Sequence, residues 1–96
     1  MQGRLTATAV YRYWIDSVDD PVTRARIQAR IDRLVHGNPG IHRRLPGGIC
    51  ELKMDFGPGY RVYYLERKGE LIILCGGDKR RQQGDIKTAI ALAREL

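Results

Sequence analysis

The chain predicts an α+β domain: two helices, then a meander of antiparallel strands, then a closing helix. Three observations carry that expectation. Apolar residues recur every three or four positions as far as about residue 36. Between residues 41 and 75 the period falls to two, broken by glycine-rich reversals. Beyond Gly76-Gly77 the helical period returns. With 96 residues, the whole of 1–96 is one domain with a single fold.

Arg4 to Thr6 fits a short first strand that leads into a helix with Val10, Trp14, Ile15 and Val18 as its apolar stripe. Asp19-Asp20-Pro21 is a helix start, a capping carboxylate followed by a proline in the first turn. That second helix runs to about His36, burying Ile27, Ile31, Leu34 and Val35, with Arg26, Arg30 and Arg33 on another face. Gly37-Asn38-Pro39-Gly40 ends it, since glycine or asparagine accepts the left-handed cap and proline cannot continue a helix. In Cys50-Glu51-Leu52-Lys53-Met54-Asp55-Phe56 the even positions are apolar and the odd ones mostly charged, which marks a strand with one wet face. Gly57-Pro58-Gly59 turns the chain into Tyr60–Leu65, and Arg67-Lys68-Gly69-Glu70 turns it again. Leu71–Cys75 is apolar on both faces and reads as a central strand, ended by Gly76-Gly77. The last helix starts at Gln82 or Asp85 and buries Ile86, Ala89, Ile90 and Ala93.

Composition narrows the functional classes. A hydrophobic share of 43% is enough for a packed core, which excludes a disordered chain. The net charge of +6 and pI near 9.7 suggest a polyanionic partner such as nucleic acid, or solubility alone. Leu71 to Leu74 is far shorter than the roughly 20 residues of a membrane helix, so no membrane partner is expected. Met1-Gln2-Gly3-Arg4-Leu5 lacks the apolar core of a signal peptide. Cys50 and Cys75 form no C-x-x-C and have no zinc spacing, so two reduced, buried thiols in a cytoplasmic protein are expected, with no metal. His36 at a helix end and His42 in a basic loop have no nucleophile beside them.

The hairpin register places the chemistry. A three-residue loop at Gly57-Pro58-Gly59 sets Phe56 opposite Tyr60, Met54 opposite Val62 and Leu52 opposite Tyr64. Lys53 then faces Tyr63, and Asp55 faces Arg61, on the other surface. A two-residue loop would pair Met54 with Arg61 and invert the pattern. Lys53, Arg61 and Tyr63 therefore share one face, where an arginine fork and an ammonium could hold a phosphodiester and a tyrosine could stack or pass a proton. An Asp55–Arg61 ion pair on an inert polar face is the plain alternative, and the residues alone favour it. A second basic group, Lys79-Arg80-Arg81, precedes the last helix, where backbone N–H groups attract anions.

Glu51-Leu52-Lys53, then Phe56-Gly57-Pro58-Gly59-Tyr60-Arg61-Val62-Tyr63-Tyr64, then Gly76-Gly77-Asp78-Lys79 with Gln82 and Asp85-Ile86, together resemble the HigB-like addiction-module killer proteins of the RelE/ParE toxin superfamily. Gly37-Asn38-Pro39-Gly40 and the Trp14-Ile15 helix match as well, so the resemblance spans nearly the whole chain. It implies helices packed on an antiparallel sheet and the toxin of a bacterial type II toxin–antitoxin pair. The activity implied is a ribosome-associated, metal-independent cleavage of messenger RNA, with no cofactor. The partner implied is a cognate antitoxin, commonly a helix-turn-helix DNA-binding protein. By that resemblance Arg61 would stabilise the charged phosphoryl oxygens and Lys53 would act as base or electrostatic partner. Lys79 and Arg80 would stabilise the leaving oxygen, with Arg81 and Gln82 extending the RNA contact. Glu51 stands where RelE-type enzymes carry a second lysine, and no aromatic follows Tyr64, so Tyr63 would substitute for their C-terminal tyrosine. The superfamily also holds ParE-like inhibitors of DNA gyrase, and a non-toxic nucleic-acid-binding module is a further alternative.

Overall fold

The computed structural model describes residues 4–96. Met1, Gln2 and Gly3, part of the segment read above for a signal peptide, lie outside the described residues. The elements run β1 (Arg4–Ala7), α1 (Ala9–Ser17), α2 (Pro21–Val35), β2 (His42–Arg44), β3 (Cys50–Lys53), β4 (Tyr60–Arg67), β5 (Glu70–Asp78), a 3₁₀ turn (Lys79–Arg81) and α3 (Gln82–Arg94).

Local chemistry accounts for the helix ends. The Thr8 hydroxyl accepts from Tyr11 N–H and caps α1. The Asp20 carboxylate accepts from Val22 N–H and Thr23 Oγ1 at the start of α2, with Pro21 in the first turn as expected. Gly37, at φ +90°, lets Asn38 N–H reach back to the Arg33 carbonyl at 2.8 Å and closes α2. The stripe of α1 differs from the expected one. Tyr11 and Ile15 are buried while Val10 is 43% exposed, because Tyr11, Trp14, Ile15 and Val18 make the arc that meets the sheet.

The five strands form one sheet in the order β1-β5-β4-β3-β2. Three of the four pairings are antiparallel, but β1 lies parallel to β5, from Arg4 opposite Glu70 to Ala7 opposite Ile73. The sheet is thus mixed at one edge. A parallel partner needs a long crossover, and everything between β1 and β5 supplies it. His42, expected in a loop, opens the short edge strand β2 opposite Leu52.

The β3–β4 register also departs from expectation, by two residues. Lys53 lies opposite Arg61, Leu52 opposite Val62, Glu51 opposite Tyr63 and Cys50 opposite Tyr64. Met54 N–H bonds the Tyr60 carbonyl at 3.0 Å, so the connection runs through Asp55, Phe56, Gly57, Pro58 and Gly59. Phe56 folds back onto Tyr60 with ring centroids 5.8 Å apart, which favours the wider turn. A slip of two leaves every side chain on its intended face. The Asp55–Arg61 pairing is lost.

Both faces of the sheet are covered. Ile27 and Ile31 of α2 and Tyr11 and Ile15 of α1 pack on Leu52, Met54, Val62, Tyr64 and Ile73. On the other side, Ala89 and Ala93 of α3 pack with Ile49, Tyr63, Leu74 and Cys75. Ile86 and Ile90 join that core partly buried, as the stripe of the last helix implies. A bulge in β5 between the partners of Tyr63 and Tyr64 puts Leu74 and Cys75, though adjacent, into the same core.

Gly76 and Gly77, expected to end the strand, lie inside it and are both buried. A Cβ on Gly76 would fall within the Trp14 ring, and one on Gly77 would fall on the Asp85 carboxylate. The two glycines therefore admit α1 on one face and α3 on the other. Gly76→Ala is expected to cost about 1–3 kcal/mol through forced displacement of Trp14. An equilibrium denaturation midpoint unchanged from the parent would refute that close approach.

Candidate functional site

Strand pairing sets Lys53 and Arg61 side by side, and β4–β5 pairing sets Gly77 on the other flank of Arg61. Lys53 and Arg61 line one cleft of about 300 Å³ with Ile41, His42, Arg43, Glu51 and Gln82. Lys53 is exposed, whereas Arg61 is only 4% exposed. The Arg61 Nη1 donates to the carbonyls of Gly59 and Tyr60 at 3.0 and 3.1 Å, and its Nε has no partner. The guanidinium is thus fixed by the turn it closes and keeps an unused donor. Gly59, at φ +81°, carries no side chain where a Cβ would lie 3.4 Å from both Arg61 Nη1 and Lys79 Cβ. The bare glycine leaves that space to the Lys79 stem and the Arg61 guanidinium.

The lower wall is a buried carboxylate. Glu51 is 2% exposed and accepts from Arg43 Nε and from Gln82 Nε2, each at 2.8 Å. Burial would raise its pKa, but those two hydrogen bonds and the Arg43 charge outweigh burial and hold the carboxyl below the ordinary glutamate value. The same contact raises Arg43, which sits 56% exposed at the cleft mouth. Tyr63 lies opposite Glu51 but is fully covered, and its hydroxyl has no hydrogen-bond partner among the described residues. Burial, then the nearby Glu51 carboxylate, pushes the phenol well above its usual range.

The expected site residues therefore divide. Lys53 and Arg61 come together, with Lys79 beside them. Tyr63 shares their face yet is roofed by α3, so its phenol is not presented to the cleft. Arg80 and Arg81 are exposed on the 3₁₀ turn, where Asp78 accepts from both backbone N–H groups and pairs with the Arg80 guanidinium at 3.5 Å. Gln82, expected to touch a ligand, lines the cleft and donates its Nε2 to Glu51. Asp85 caps nothing in this cleft; burial raises its carboxyl, and its Oδ2 lies over Gly77 without a hydrogen-bond partner.

The sequence singles out Glu51 as a departure from the family pattern but gives no sign of Arg43 or of their pairing. The available signal was that α3 needs an apolar seat, so a carboxylate on the face it covers must be paired. Cys50 and Cys75 are free thiols, half-buried and buried respectively, and burial pushes Cys75 up to about 12.

Chemically, the cleft offers an ammonium and a fixed guanidinium to an anion, while the guanidinium of Arg43 neutralises the Glu51 carboxylate. That set suits a phosphodiester. A larger cleft, about 660 Å³, lies elsewhere, lined by residues including Leu34, Arg44, Cys50, Tyr64 and Glu66, and holds neither Lys53 nor Arg61. Among the described residues, no three His, Cys, Asp or Glu side chains converge as metal ligands, and no helix is long and apolar enough to cross a membrane.

A protein of Haemophilus influenzae strain Rd, itself uncharacterized, is 44% identical over 97 aligned positions, spanning all of this chain and 98% of the relative. A free-state double mutant of the E. coli toxin RelE superposes with a TM-score of 0.74 at 14% identity, over 95% of this chain and 96% of that one. The second likeness establishes the RelE-like fold. No family model matches the chain.

Proposed function

We infer that this chain, which belongs to one family with the Haemophilus influenzae protein and has the RelE-like fold, is a toxin of a type II toxin–antitoxin system that cleaves messenger RNA on the ribosome. The observation that carries this reading is the direct pairing of Lys53 with Arg61 in one cleft, with the Lys79 stem across Gly59 from Arg61. In the reaction proposed, a ribose 2′-oxygen attacks the adjacent phosphorus as its proton leaves. The bond to the 5′-oxygen breaks, giving a 2′,3′-cyclic phosphate and a 5′-hydroxyl once that oxygen is protonated. Arg61 stabilises the charge that grows on the non-bridging oxygens. Lys53, an ammonium at the exposed side of the cleft, stabilises the attacking oxygen while its proton passes to solvent water. Lys79 and Arg80 stabilise the leaving oxygen. Cationic side chains supply the charge compensation, so the proposed chemistry is metal-independent.

The resemblance to HigB-like chains supports a cytoplasmic setting and an antitoxin of the helix-turn-helix class. Induced expression in a bacterial host, with the 5′ ends of transcripts mapped, tests the reading. New ends inside translated frames are expected within the first minutes of arrest. Arrest with intact transcripts would overturn RNA cleavage in favour of a gyrase-type target. Growth without arrest would overturn the toxin itself.

A further inference from the structure

Lys53 lines a second groove as well as the cleft described above. This groove, about 330 Å³, lies between α2 and the β3–β4 turn, and Ile41 is also common to both, so the two adjoin at Lys53 and Ile41. Its walls carry Arg26, Arg30 and Arg33 against Asp55 and Phe56. Asp55 is the only carboxylate among its lining residues.

The arginines are held differently. Arg30 is bound to backbone, donating to the carbonyls of Lys53 at 3.0 Å, Pro39 at 2.9 Å and Ile41 at 3.3 Å. It joins α2 to the sheet edge and leaves a positive charge in the groove floor. Arg26 stacks on Phe56, its guanidinium carbon 3.9 Å from the ring centroid. Arg33 is exposed, and neither it nor Arg26 has a carboxylate partner among the described residues. Three like charges at helical spacing repel one another and oppose the helix. Two of them are nonetheless fixed, and cations fixed in advance lose less freedom on meeting an anion.

We propose that this arginine groove binds the RNA strand flanking the scissile phosphate, its phosphates meeting Arg30 and Arg33 and a base stacking at the Arg26–Phe56 pair. The proposal rests on the ribonuclease reading and extends its footprint from one phosphate to several nucleotides. Because Lys53 and Ile41 line both, one strand can pass from the cleft around this edge onto α2.

The test uses two 2′-O-methyl RNA probes, about 3 and about 8 nucleotides long, whose blocked 2′-oxygen prevents cleavage while each phosphate still releases counterions. Binding is followed by fluorescence anisotropy for the parent protein, Arg33→Gln, and the Arg26→Gln/Arg33→Gln pair across a salt series. For the longer probe, the slope of log affinity against log salt should fall by about 0.7 in both variants, since Arg33 meets a phosphate and Arg26 a base. Affinity of the double variant for the longer probe should drop about tenfold at low salt, with the short probe unaffected. The Arg33 side chain makes no hydrogen bond or ion pair among the described residues, so Arg33→Gln leaves the fold's polar contacts in place. Unchanged slopes beside intact RNA cleavage by the parent would overturn the groove and leave the ribonuclease reading standing. Unchanged RNA binding with lost capture of a glutamate-rich peptide would overturn it in favour of an acidic protein partner.

Discussion

Arg61→Ala is expected to lower RNA cleavage about 10²–10³-fold, the usual result of removing one preorganised donor from a developing oxyanion. Arg61 is 4% exposed, and two carbonyls hold its Nη1, so it does not need to reorganise when charge builds on the phosphoryl oxygens. A hydrated surface lysine offers no such advantage. The substitution has a second effect. Losing the bonds to Gly59 and Tyr60 loosens the turn after Phe56 and should cost about 1–3 kcal/mol of stability. Activity must therefore be compared on folded protein, checked by circular dichroism. Arg61→Lys separates the two effects, because it keeps a positive charge but loses the planar fork. Single-turnover cleavage should rank the parent first, then lysine, then alanine. If folded Arg61→Ala protein cleaves RNA and arrests growth at the parental rate, Arg61 has no place in the chemistry.

Much of this cleft was legible in the sequence, for a reason that lies in the period of a strand. Side chains alternate, so Lys53 and Arg61 share a face under any register that keeps Leu52, Met54 and Val62 together. A slip of two residues changes their neighbours but not their side, and so the expected surface survived a wrong turn length. Turn length itself depended on Phe56 stacking with Tyr60, a contact that no pattern of polarity reports. The glycines of β5 misled for a related reason. Gly76-Gly77 carries the composition of a turn, yet its small size is needed where Trp14 and Asp85 approach the strand from opposite faces. The pairing of Arg43 with Glu51 was illegible because it joins β2 to β3, and the three-residue strand β2 has no apolar alternation to announce it. The parallel placement of β1 was hidden too, since strand order is decided by how the helices cross the sheet.

Glu51→Ala is expected to destabilise the fold by about 3 kcal/mol, combining a lost charged hydrogen-bond pair with a small cavity beside Tyr63. Glu51 holds both Arg43 of β2 and Gln82 at the start of α3. Without it, Gln82 loses its partner and the first turn of α3 loses a tie to the sheet. Arg43, being largely exposed, recovers its hydration and adds little to the loss. Glu51→Gln should cost only about 1 kcal/mol, because the Gln82 amide can turn and offer its oxygen to the new N–H donors. The two variants should also separate in acid. The carboxyl of Glu51 titrates lower in the folded chain than its ordinary value of 4.5, so its contribution is complete above that pH and fades as pH falls through the folded value. Asp85 acts in the opposite sense. Its raised folded pKa adds stability in acid that is lost as pH rises from its ordinary 3.8 through the folded value. Denaturant titrations between about pH 3 and 6 should therefore show a flatter acid decline in Glu51→Gln and a steeper one in Asp85→Asn than in the parent. A Glu51→Gln protein that loses stability in acid as steeply as the parent would mean that the Arg43–Glu51–Gln82 contact does not hold this carboxylate charged in solution.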